Sequence, residues 1–442
     1  MCNITIVVPT WYYFANPFKL HPLAELYFAT ILDHHFKDDE ISVSVTDLRE
    51  IRKKKDGVNL EGVCSFIPEK DLYLYWIAKS ADYYEILLVI KQLRDAYPKA
   101  KHIAGGVHVD TFPKESAEHF DSIITGPGEE AFIDIVKKYS ANKSFEKVYK
   151  SNWKEIHYDN YPFARRHYLS NEAVVNSVLF EKYAGIKATS AMFSRGCNFK
   201  CAYCYVNIPS IVQMRSPSSI KNEISYLKDE YSIEGINLRD EMCIPLSPKV
   251  SIPYLEAIGT SGLKWRGQTR VGVSEEVLSL ASQTGCLELS IGVESVSQQV
   301  LDIINKNQTI DQVKDFLYFS KKYGIKIKMC LILGLPGEPR DIYKQTIDFI
   351  EKHKPDFVNV NGFCPAPGST IFGKHKDYAI KSIDEDWSKH AHLLYRFSDE
   401  ESFGLPFEYE KESKWGKPFS KVEIIENIKN LQHYLRKRDM CY

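Results

Sequence analysis

The chain has 442 residues, of which 44% are hydrophobic and 26% charged, shares that are typical of a globular protein. A chain of this length exceeds what one hydrophobic core usually holds, so two or three domains are expected. The formal net charge of −1 provides no global basic field and argues against a nucleic-acid partner.

The first residues carry no basic leader and run straight into a β-rich stretch. No apolar run approaches the roughly 20 residues that a membrane-spanning helix requires. The ten cysteines are therefore expected to be thiols of a reducing compartment, as metal ligands or core residues, rather than disulfides. We predict a cytoplasmic protein without a membrane span.

Residues 1–140 alternate apolar β-rich runs with segments of helical spacing. The runs cover residues 4–8, 41–45, 72–77, 103–108 and 122–129, and the helical segments cover 21–32, 83–97 and 129–139. This alternation predicts a Rossmann-like, doubly wound parallel sheet. Ligands of such sheets bind at the carboxyl ends of the strands, where the glycine turns at 105–106 and 126–128 fall. An aromatic loop, residues 11–14, follows the first run.

Residues 141–183 are rich in aromatic and basic side chains and are assigned to a linker. A second α/β pattern occupies residues 184–373, with β-rich runs over 189–194, 235–241, 263–270, 287–295, 325–333 and 357–363. Six strands with helices between them predict an incomplete (βα)6 barrel of the TIM type, whose reactive site lies at the carboxyl ends of the strands. Residues 374–442 are expected to form a mainly helical segment that caps the barrel, with helices over 382–397 and 421–436.

Three cysteines follow the first strand of the second pattern at C-x3-C-x2-C spacing: Cys197, Cys201 and Cys204. Three thiolates occupy three corners of a [4Fe–4S] cubane and leave the fourth iron open. A structural zinc site is the competing interpretation, but it needs a fourth Cys or His at matched spacing, and none follows before Cys243. Chance clustering of core cysteines is the other alternative. The spacing favours an iron–sulfur cluster.

This loop resembles the signature of the radical S-adenosylmethionine (radical SAM) superfamily, C-x3-C-x-aromatic-C, in which Tyr203 supplies the aromatic residue. The resemblance implies that the open iron binds S-adenosylmethionine (SAM). One electron then cleaves the sulfonium and yields a 5′-deoxyadenosyl radical. The protein's share of such chemistry is placement and exclusion of water.

Further motifs at the carboxyl ends of the strands resemble the same family in order and spacing. Asp240-Glu241 resembles its paired acids, residues 292–295 resemble its Gly-Ile-Glu-Ser, and residues 334–338 are a near-literal match to its Gly-Leu-Pro-Gly-Glu turn. The resemblance implies a catalytic role beside SAM for Asp240, Glu241 and Glu294. It implies SAM contacts for these three residues and for Tyr203, Arg270, Gly292, Ser295, Gly334 and Pro336.

The first domain resembles the cobalamin-binding domain found before many radical SAM barrels. Gly105, Gly106 and His108 match its Gly-Gly-Pro-His turn, and Gly126 and Gly128 match its Gly-Glu-Gly-Glu turn, with one substitution in each. The resemblance implies that these five residues contact the corrin. No Asp-x-His-x-x-Gly is present to offer a lower cobalt ligand. The aromatic loop could stack on a corrin or fill the cavity where a corrin would lie.

Together these motifs predict a radical SAM enzyme that abstracts hydrogen from an unactivated C–H bond of a small-molecule or lipid-like substrate. Bound cobalamin would favour methyl transfer, and an empty first domain would favour cyclisation, elimination or oxidation. A non-catalytic iron–sulfur or cofactor-binding module is the alternative class. The expected partner is an electron donor such as flavodoxin or ferredoxin. Candidate substrate-lining residues in the last segment are Trp387, His390, His392 and Tyr395.

Overall fold

The computed structural model describes residues 1–14, 16–53, 62–183, 185–204, 212–390 and 405–441. The chain divides into two compact units, Met1–Asn176 and Ser177–Tyr442. The division falls inside the segment 141–183 that the sequence assigned to a linker, and part of that segment belongs to the first unit's sheet. Across the described ranges, every helix is too short or too polar to cross a bilayer.

The first unit contains a parallel sheet flanked by helices. Its strands are β1 Cys2–Val8, β2 Ile41–Asp47, β3 Leu72–Trp76, β4 Lys101–Gly105, β5 Ser122–Thr125 and β6 Val148–Lys150. Its helices are α1 Leu23–His35, α2 Tyr83–Ala96, α3 Val107–Thr111, α4 Pro113–His119, α5 Glu129–Ser140 and α6 Asn171–Val174. The strand order is β2-β1-β3-β4-β5-β6, and each neighbouring pair is parallel. The predicted doubly wound sheet is confirmed.

The apolar run of β1 explains why this strand lies near the middle of the sheet. Ile4, Ile6, Val7 and Val8 are all buried, as a parallel strand covered on both faces requires. β1 pairs with β2 on one side and β3 on the other, so the strand order reverses here. The crevice at such a switch point is the usual ligand position of the fold.

The second unit is built on an open parallel sheet of order β14-β13-β12-β11-β10-β7. Its strands are β7 Ala188–Ala191, β8 Ser194–Arg195, β9 Gln213–Met214, β10 Gly235–Leu238, β11 Lys264–Thr269, β12 Cys286–Glu294, β13 Lys326–Leu333, β14 Phe357–Gly362, β15 Ile380–Ile383 and β16 Phe407–Tyr409. Its helices are α7 Pro217–Tyr231, α8 Pro248–Gly259, α9 Glu275–Gln283, α10 Gln298–Ile303, α11 Ile310–Lys322, α12 Ile342–His353, α13 Thr370–Gly373 and α14 Lys421–Arg436. The predicted incomplete (βα)6 barrel is confirmed.

The last segment differs from its prediction. The helix expected over 382–397 begins instead as a strand, because β15 pairs antiparallel with β16. Trp387 and His390 are buried beyond it, and His392 and Tyr395 lie outside the described residues. The second expected helix is α14, which begins with a capping box between Ser420 and Glu423.

Candidate active site

The cysteine loop is closed at its root by a short strand pair. β8 and β9 pair antiparallel, with Ser194 opposite Met214 and Arg195 opposite Gln213. The Arg195 guanidinium donates to the Gln213 side-chain oxygen at 3.1 and 3.0 Å. Residues 205–211 lie outside the described residues. The two ends of the loop are thus held together at the carboxyl end of β7.

The three cysteines lie on this one loop with different exposure. Cys197 and Cys201 are half-buried and Cys204 is exposed, and the Cys204 N–H donates to the Cys201 carbonyl at 3.1 Å. Among the described residues, no three His, Cys, Asp or Glu side chains converge at metal-binding distance. The three thiols therefore share one loop, but their sulfur atoms do not surround a single point. Burial raises the pKa of the Cys197 thiol, an effect that Arg270 opposes. The donor set, three soft thiolates on one loop, fits an iron–sulfur cluster with one open iron.

Arg270, a predicted SAM contact, lies against the cysteine loop. Its Nη1 is 3.4 Å from Cys201 Sγ, and its guanidinium carbon lies 3.7 Å from the centre of the Phe199 ring. Its Nη2 donates to the Lys306 carbonyl. Its positive charge opposes the rise in the pKa of the Cys197 thiol, and the thiolate is the form that binds metal. Arg270 therefore supports the cysteine loop directly.

Residues 304–307, for which the sequence predicted no role, clamp the loop from the other side. The Ala202 N–H donates to the Ile304 carbonyl at 2.8 Å, and the Asn305 side chain donates to the Lys200 carbonyl at 2.7 Å. Asn305 and Asn307 both have left-handed φ, 50° and 53°. Asparagine tolerates this conformation best among residues with a side chain, so the Asn-Lys-Asn run was the available signal.

Glu294 belongs to a buried triad with Lys306 and Tyr203. Lys306 Nζ donates to Glu294 Oε1 at 2.6 Å, Tyr203 Oη donates to the same oxygen at 2.6 Å, and Lys306 Nζ lies 3.0 Å from Tyr203 Oη. Glu294 has a φ of 64°, at a bulge in the pairing of β12 with β13. Lys306 thus supplies this buried carboxylate with a cationic partner from within the chain, and a contact of Glu294 with SAM stays a prediction.

Gly292 has a steric role in the triad. A Cβ at this position would collide with Glu294 Oε1 and would lie 2.9 Å from Lys306 Nζ. Ser295, the last residue of the motif, accepts a hydrogen bond from the Ser297 N–H at 3.2 Å. Gly292 and Ser295 therefore shape the strand end around the ion pair, and a contact of either with SAM stays a prediction.

The paired acids hold the start of the cysteine loop. Asp240 accepts hydrogen bonds from Ser194 Oγ at 2.5 Å, from the Phe193 N–H at 3.4 Å and from Tyr254 Oη at 3.4 Å. Burial raises its pKa to about 7. Glu241 is half-buried and accepts the Gly196 N–H at 3.1 Å. Burial also raises the pKa of Glu241.

The turn after β13 is hydrogen-bonded within the chain. The Gly334 N–H donates to both carboxylate oxygens of Glu338, at 3.0 and 2.9 Å, and its carbonyl accepts from Tyr409 Oη at 2.8 Å. Burial raises the pKa of Glu338 to about 8. Pro336 is buried in the same turn. The backbone polar groups of Gly334 are thus used by the protein itself.

In the first unit, the predicted corrin-contacting glycines pack against their own domain. A Cβ on Gly105 would lie 2.7 Å from the Trp76 ring, and one on Gly106 would lie 2.7 Å from the Ile77 carbonyl oxygen. A Cβ on Gly126 would be close to the Ser151 backbone, and one on Gly128 would be close to the rings of Phe28 and Phe132. These glycines are explained by packing.

The side chains at the switch-point crevice and His108 also make contacts within the first unit. Thr10 donates through N–H and Oγ1 to Glu85 at 2.6 and 2.7 Å, and Tyr13 Oη donates to Asp82 at 2.8 Å, which fixes the aromatic loop over the start of α2. His108 is buried, with Nδ1 2.9 Å from Ser80 Oγ. These contacts of the predicted residues all lie within the first unit, and a contact of any of them with a corrin ring stays a prediction.

Residues 192–350 match the family model of the Radical SAM superfamily. An uncharacterized methyltransferase of Pyrococcus horikoshii is 26% identical over 371 residues, 77% of this chain and 79% of that protein. The anaerobic magnesium-protoporphyrin IX monomethyl ester cyclase of Cereibacter sphaeroides is 24% identical over 326 residues, 65% of this chain and half the length of the cyclase.

Two kinds of solved structure share the fold. The radical SAM methyltransferase TsrM of Kitasatospora setae, solved with tryptophan and a SAM analogue, superposes with a TM-score of 0.67 at 14% identity and covers 93% of this chain and 86% of its own. The cobalamin-dependent radical SAM enzyme OxsB, solved with aqua-cobalamin and SAM, gives 0.59 at 18% identity and covers 79% of this chain and 52% of its own. At these identities the likeness establishes the fold.

Proposed function

We propose, from the match of residues 192–350 to the Radical SAM superfamily, that the chain is an enzyme that reductively cleaves SAM and abstracts hydrogen from a C–H bond of a small molecule. The observation that carries the proposal is the cysteine loop: three thiols between paired strands, clamped by residues 304–307 and backed by Arg270. Three thiols leave one iron of a cluster open, and an open position is typical of a catalytic rather than a structural metal site.

The three cysteines would hold a [4Fe–4S] cluster. When bound, this cluster supplies the electron that splits the sulfonium of SAM into methionine and the 5′-deoxyadenosyl radical. Arg270 would hold the loop through its contact with Cys201 Sγ at 3.4 Å and opposes the rise in the pKa of the Cys197 thiol that burial causes. Tyr203, fixed by Glu294 and Lys306, would keep the third cysteine at a set position on the loop.

Among the predicted acids, Glu241 is the best candidate to bind the ammonium group of SAM. Asp240 already accepts three hydrogen bonds and is 2% exposed, and Glu294 is paired with Lys306. Glu241 is only half-buried and lies next to Gly196, at the start of the cysteine loop. A carboxylate in this position can pair with a cation without giving up a structural contact.

Cobalamin-dependent methyl transfer is the second candidate function. It is favoured by the parallel sheet of the first unit and by the likeness to TsrM over 93% of the chain. The packing of the glycine turns and the aromatic loop favours instead a radical cyclase or oxidoreductase that does not use cobalamin. Cobalt content of anaerobically purified protein, supplied with hydroxocobalamin during expression, separates the two.

The test of the main proposal is SAM cleavage. Anaerobically reconstituted protein, reduced with dithionite or with a flavodoxin or ferredoxin, is expected to bind about four iron atoms per chain and to form 5′-deoxyadenosine. Cys197→Ala should lose both properties. The control is Cys64→Ala, which removes a half-buried thiol of the first unit and should retain both. Wild-type protein that binds iron but never cleaves SAM would support the non-catalytic alternative.

A further inference from the structure

A short helix beyond the last barrel strand packs against the cysteine loop. This helix is α13, whose Ile371 N–H donates to the Ala202 carbonyl of the loop at 2.9 Å. The ring of the next residue, Phe372, lies 6.2 Å from the ring of Trp387, centre to centre, and Trp387 is buried. A backbone hydrogen bond and an aromatic contact therefore hold α13 beside the loop.

Three exposed lysines lie on these two neighbouring segments. Lys200 belongs to the cysteine loop, Lys374 is the residue that follows α13, and Lys376 lies two residues further on. Within the part of the chain that the structure describes, their ammonium groups make no ion pair and no hydrogen bond. We call Lys200, Lys374 and Lys376 the lysine patch.

The three lysines are close enough for one partner to contact them together. Lys200 precedes Ala202 by two residues, which separates their Cα atoms by at most about 7 Å. Lys374 follows Ile371 by about one helical turn. Because a hydrogen bond joins Ala202 to Ile371, the Cα atoms of Lys200 and Lys374 are within about 20 Å of each other. A protein interface of ordinary size covers about 800 Å² on each partner, which is wide enough to include the patch.

The lysine patch is positively charged although the chain as a whole is not. Residues 198–204 and 370–376 contain the three lysines and no acidic residue, whereas the formal net charge of the whole chain is −1. Two exposed acids, Asp302 and Asp377, lie at the edge of the patch, and they are outnumbered by the lysines. A positive excess of this kind is complementary to an acidic protein surface.

The patch adjoins the residues that would hold the cluster. Lys200 directly precedes Cys201, and Cys204 at the end of the same loop is exposed. The proposed reaction needs one electron for each SAM that is cleaved, and this electron comes from outside the chain. A carrier protein bound at the patch would bring its redox centre to the exposed part of the cysteine loop.

We propose that the lysine patch is the docking surface for a small, acidic one-electron carrier protein, which is oxidised by one electron as the cluster is reduced by one. This inference rests on the proposed function and names the partner of the same site. Complementary charge accelerates the association of two proteins, and salt screens this effect. Electron delivery by the carrier should therefore slow as the ionic strength rises.

The experiment compares two ways of reducing the same holoprotein. Reduced flavodoxin and reduced ferredoxin are protein probes that must dock, whereas dithionite is too small to need a docking surface. The double variant Lys374→Glu/Lys376→Glu should lower kcat/KM for at least one carrier about tenfold, measured as 5′-deoxyadenosine formation. Its iron content and its rate with dithionite should stay at the wild-type level.

The matched control reverses two exposed lysines at the other end of the barrel. Lys264 is the first residue of β11 and Lys352 lies in the last turn of α12, so both are near the amino ends of the strands. Lys264→Glu/Lys352→Glu changes the net charge of the chain by the same amount as the test variant. This control should retain the wild-type kcat/KM with both carriers, because the effect depends on the position of the charge.

Binding provides a second readout that does not depend on turnover. Calorimetric titration of the holoprotein with the oxidised carrier should show an affinity that falls with salt and with Lys374→Glu/Lys376→Glu. Carbodiimide joins ammonium groups to carboxylates, so it should cross-link the carrier to Lys200, Lys374 or Lys376.

Three results would overturn the proposal: wild-type kcat/KM with both carriers in the double variant, cross-links confined to other lysines, or dithionite-driven cleavage that neither carrier supports. Failure of the proposed function would look different, because 5′-deoxyadenosine would then be absent with dithionite as well. The binding and cross-linking results would still decide whether a carrier docks at the patch.

Discussion

Lys306 Nζ lies 2.6 Å from Glu294 Oε1, and both side chains are buried, 5% and 8% exposed. The pair joins the end of β12 to the segment 304–307 that clamps the cysteine loop, and Tyr203 Oη completes it. The glutamate that the sequence places beside a cofactor thus has a structural partner. The metal-binding loop is held by a buried ion pair.

Removing one member of this pair should destabilise the fold strongly. Lys306→Met leaves the Glu294 carboxylate buried without a charged partner, which typically costs about 3–5 kcal/mol. The double variant with Glu294→Gln should recover much of the loss. The free energy of unfolding from urea titration measures both. As control, Lys326→Met breaks an exposed pair and should cost about 1 kcal/mol or less. Equal losses for the two lysine variants would contradict the assignment.

Gly292→Ala should damage the same triad by steric collision. The new Cβ would meet Glu294 Oε1 and lie 2.9 Å from Lys306 Nζ, and overpacking of this kind costs about 1–3 kcal/mol. Iron content after reconstitution should fall with stability. Gly373→Ala is the matched control, because no atom lies within 4 Å of its Cβ position. A Gly292→Ala protein as stable as the control would show that the triad tolerates a shift.

The two paired acids, Asp240 and Glu241, should have different functions. Asp240→Asn places an NH2 group where the carboxylate accepts from Phe193, Ser194 and Tyr254, so loop anchoring and iron content should fall. Glu241→Gln keeps an acceptor for the Gly196 N–H but loses the charge, so iron content should persist while SAM affinity drops about tenfold or more. Iron analysis and equilibrium dialysis with labelled SAM measure the two. The reverse pattern would exchange the two roles.

Glu338 should make stability depend on pH. Its folded pKa, about 8, is raised above the ordinary value by burial, so the folded state retains a proton that the unfolded state has lost between about pH 5 and 8. Its contribution to stability is therefore present at low pH and lost as pH rises, by up to about 1.4 kcal/mol per pH unit. In urea titrations from pH 5 to 8, wild type should lose stability relative to Glu338→Gln, whose neutral amide resembles the protonated carboxyl, so the two proteins should diverge as pH increases. A constant difference would show that Glu338 is ionised throughout.

The barrel strands could be predicted because each is an apolar, β-rich run that ends at a turn. β12 and β13, for example, lie within a residue of their predicted bounds. The clamp formed by residues 304–307 could not be predicted, because its contacts with Lys200 and Ala202 join residues about a hundred positions apart. Gly105 and Gly106 show that a glycine pattern can have a structural cause that the sequence does not reveal. Their pattern suggested a ligand, yet a Cβ there would collide with Trp76 and Ile77 of the neighbouring chain segment.

The most direct test of the open-iron claim is the electron paramagnetic resonance spectrum of the reduced, reconstituted protein with and without SAM. A cluster held only by Cys197, Cys201 and Cys204 should bind SAM at its fourth iron, so the g values should shift on addition of SAM, and methyl-13C-labelled SAM should show hyperfine coupling to the cluster. A spectrum that is indifferent to SAM, from a cluster with four protein ligands, would contradict the proposed function.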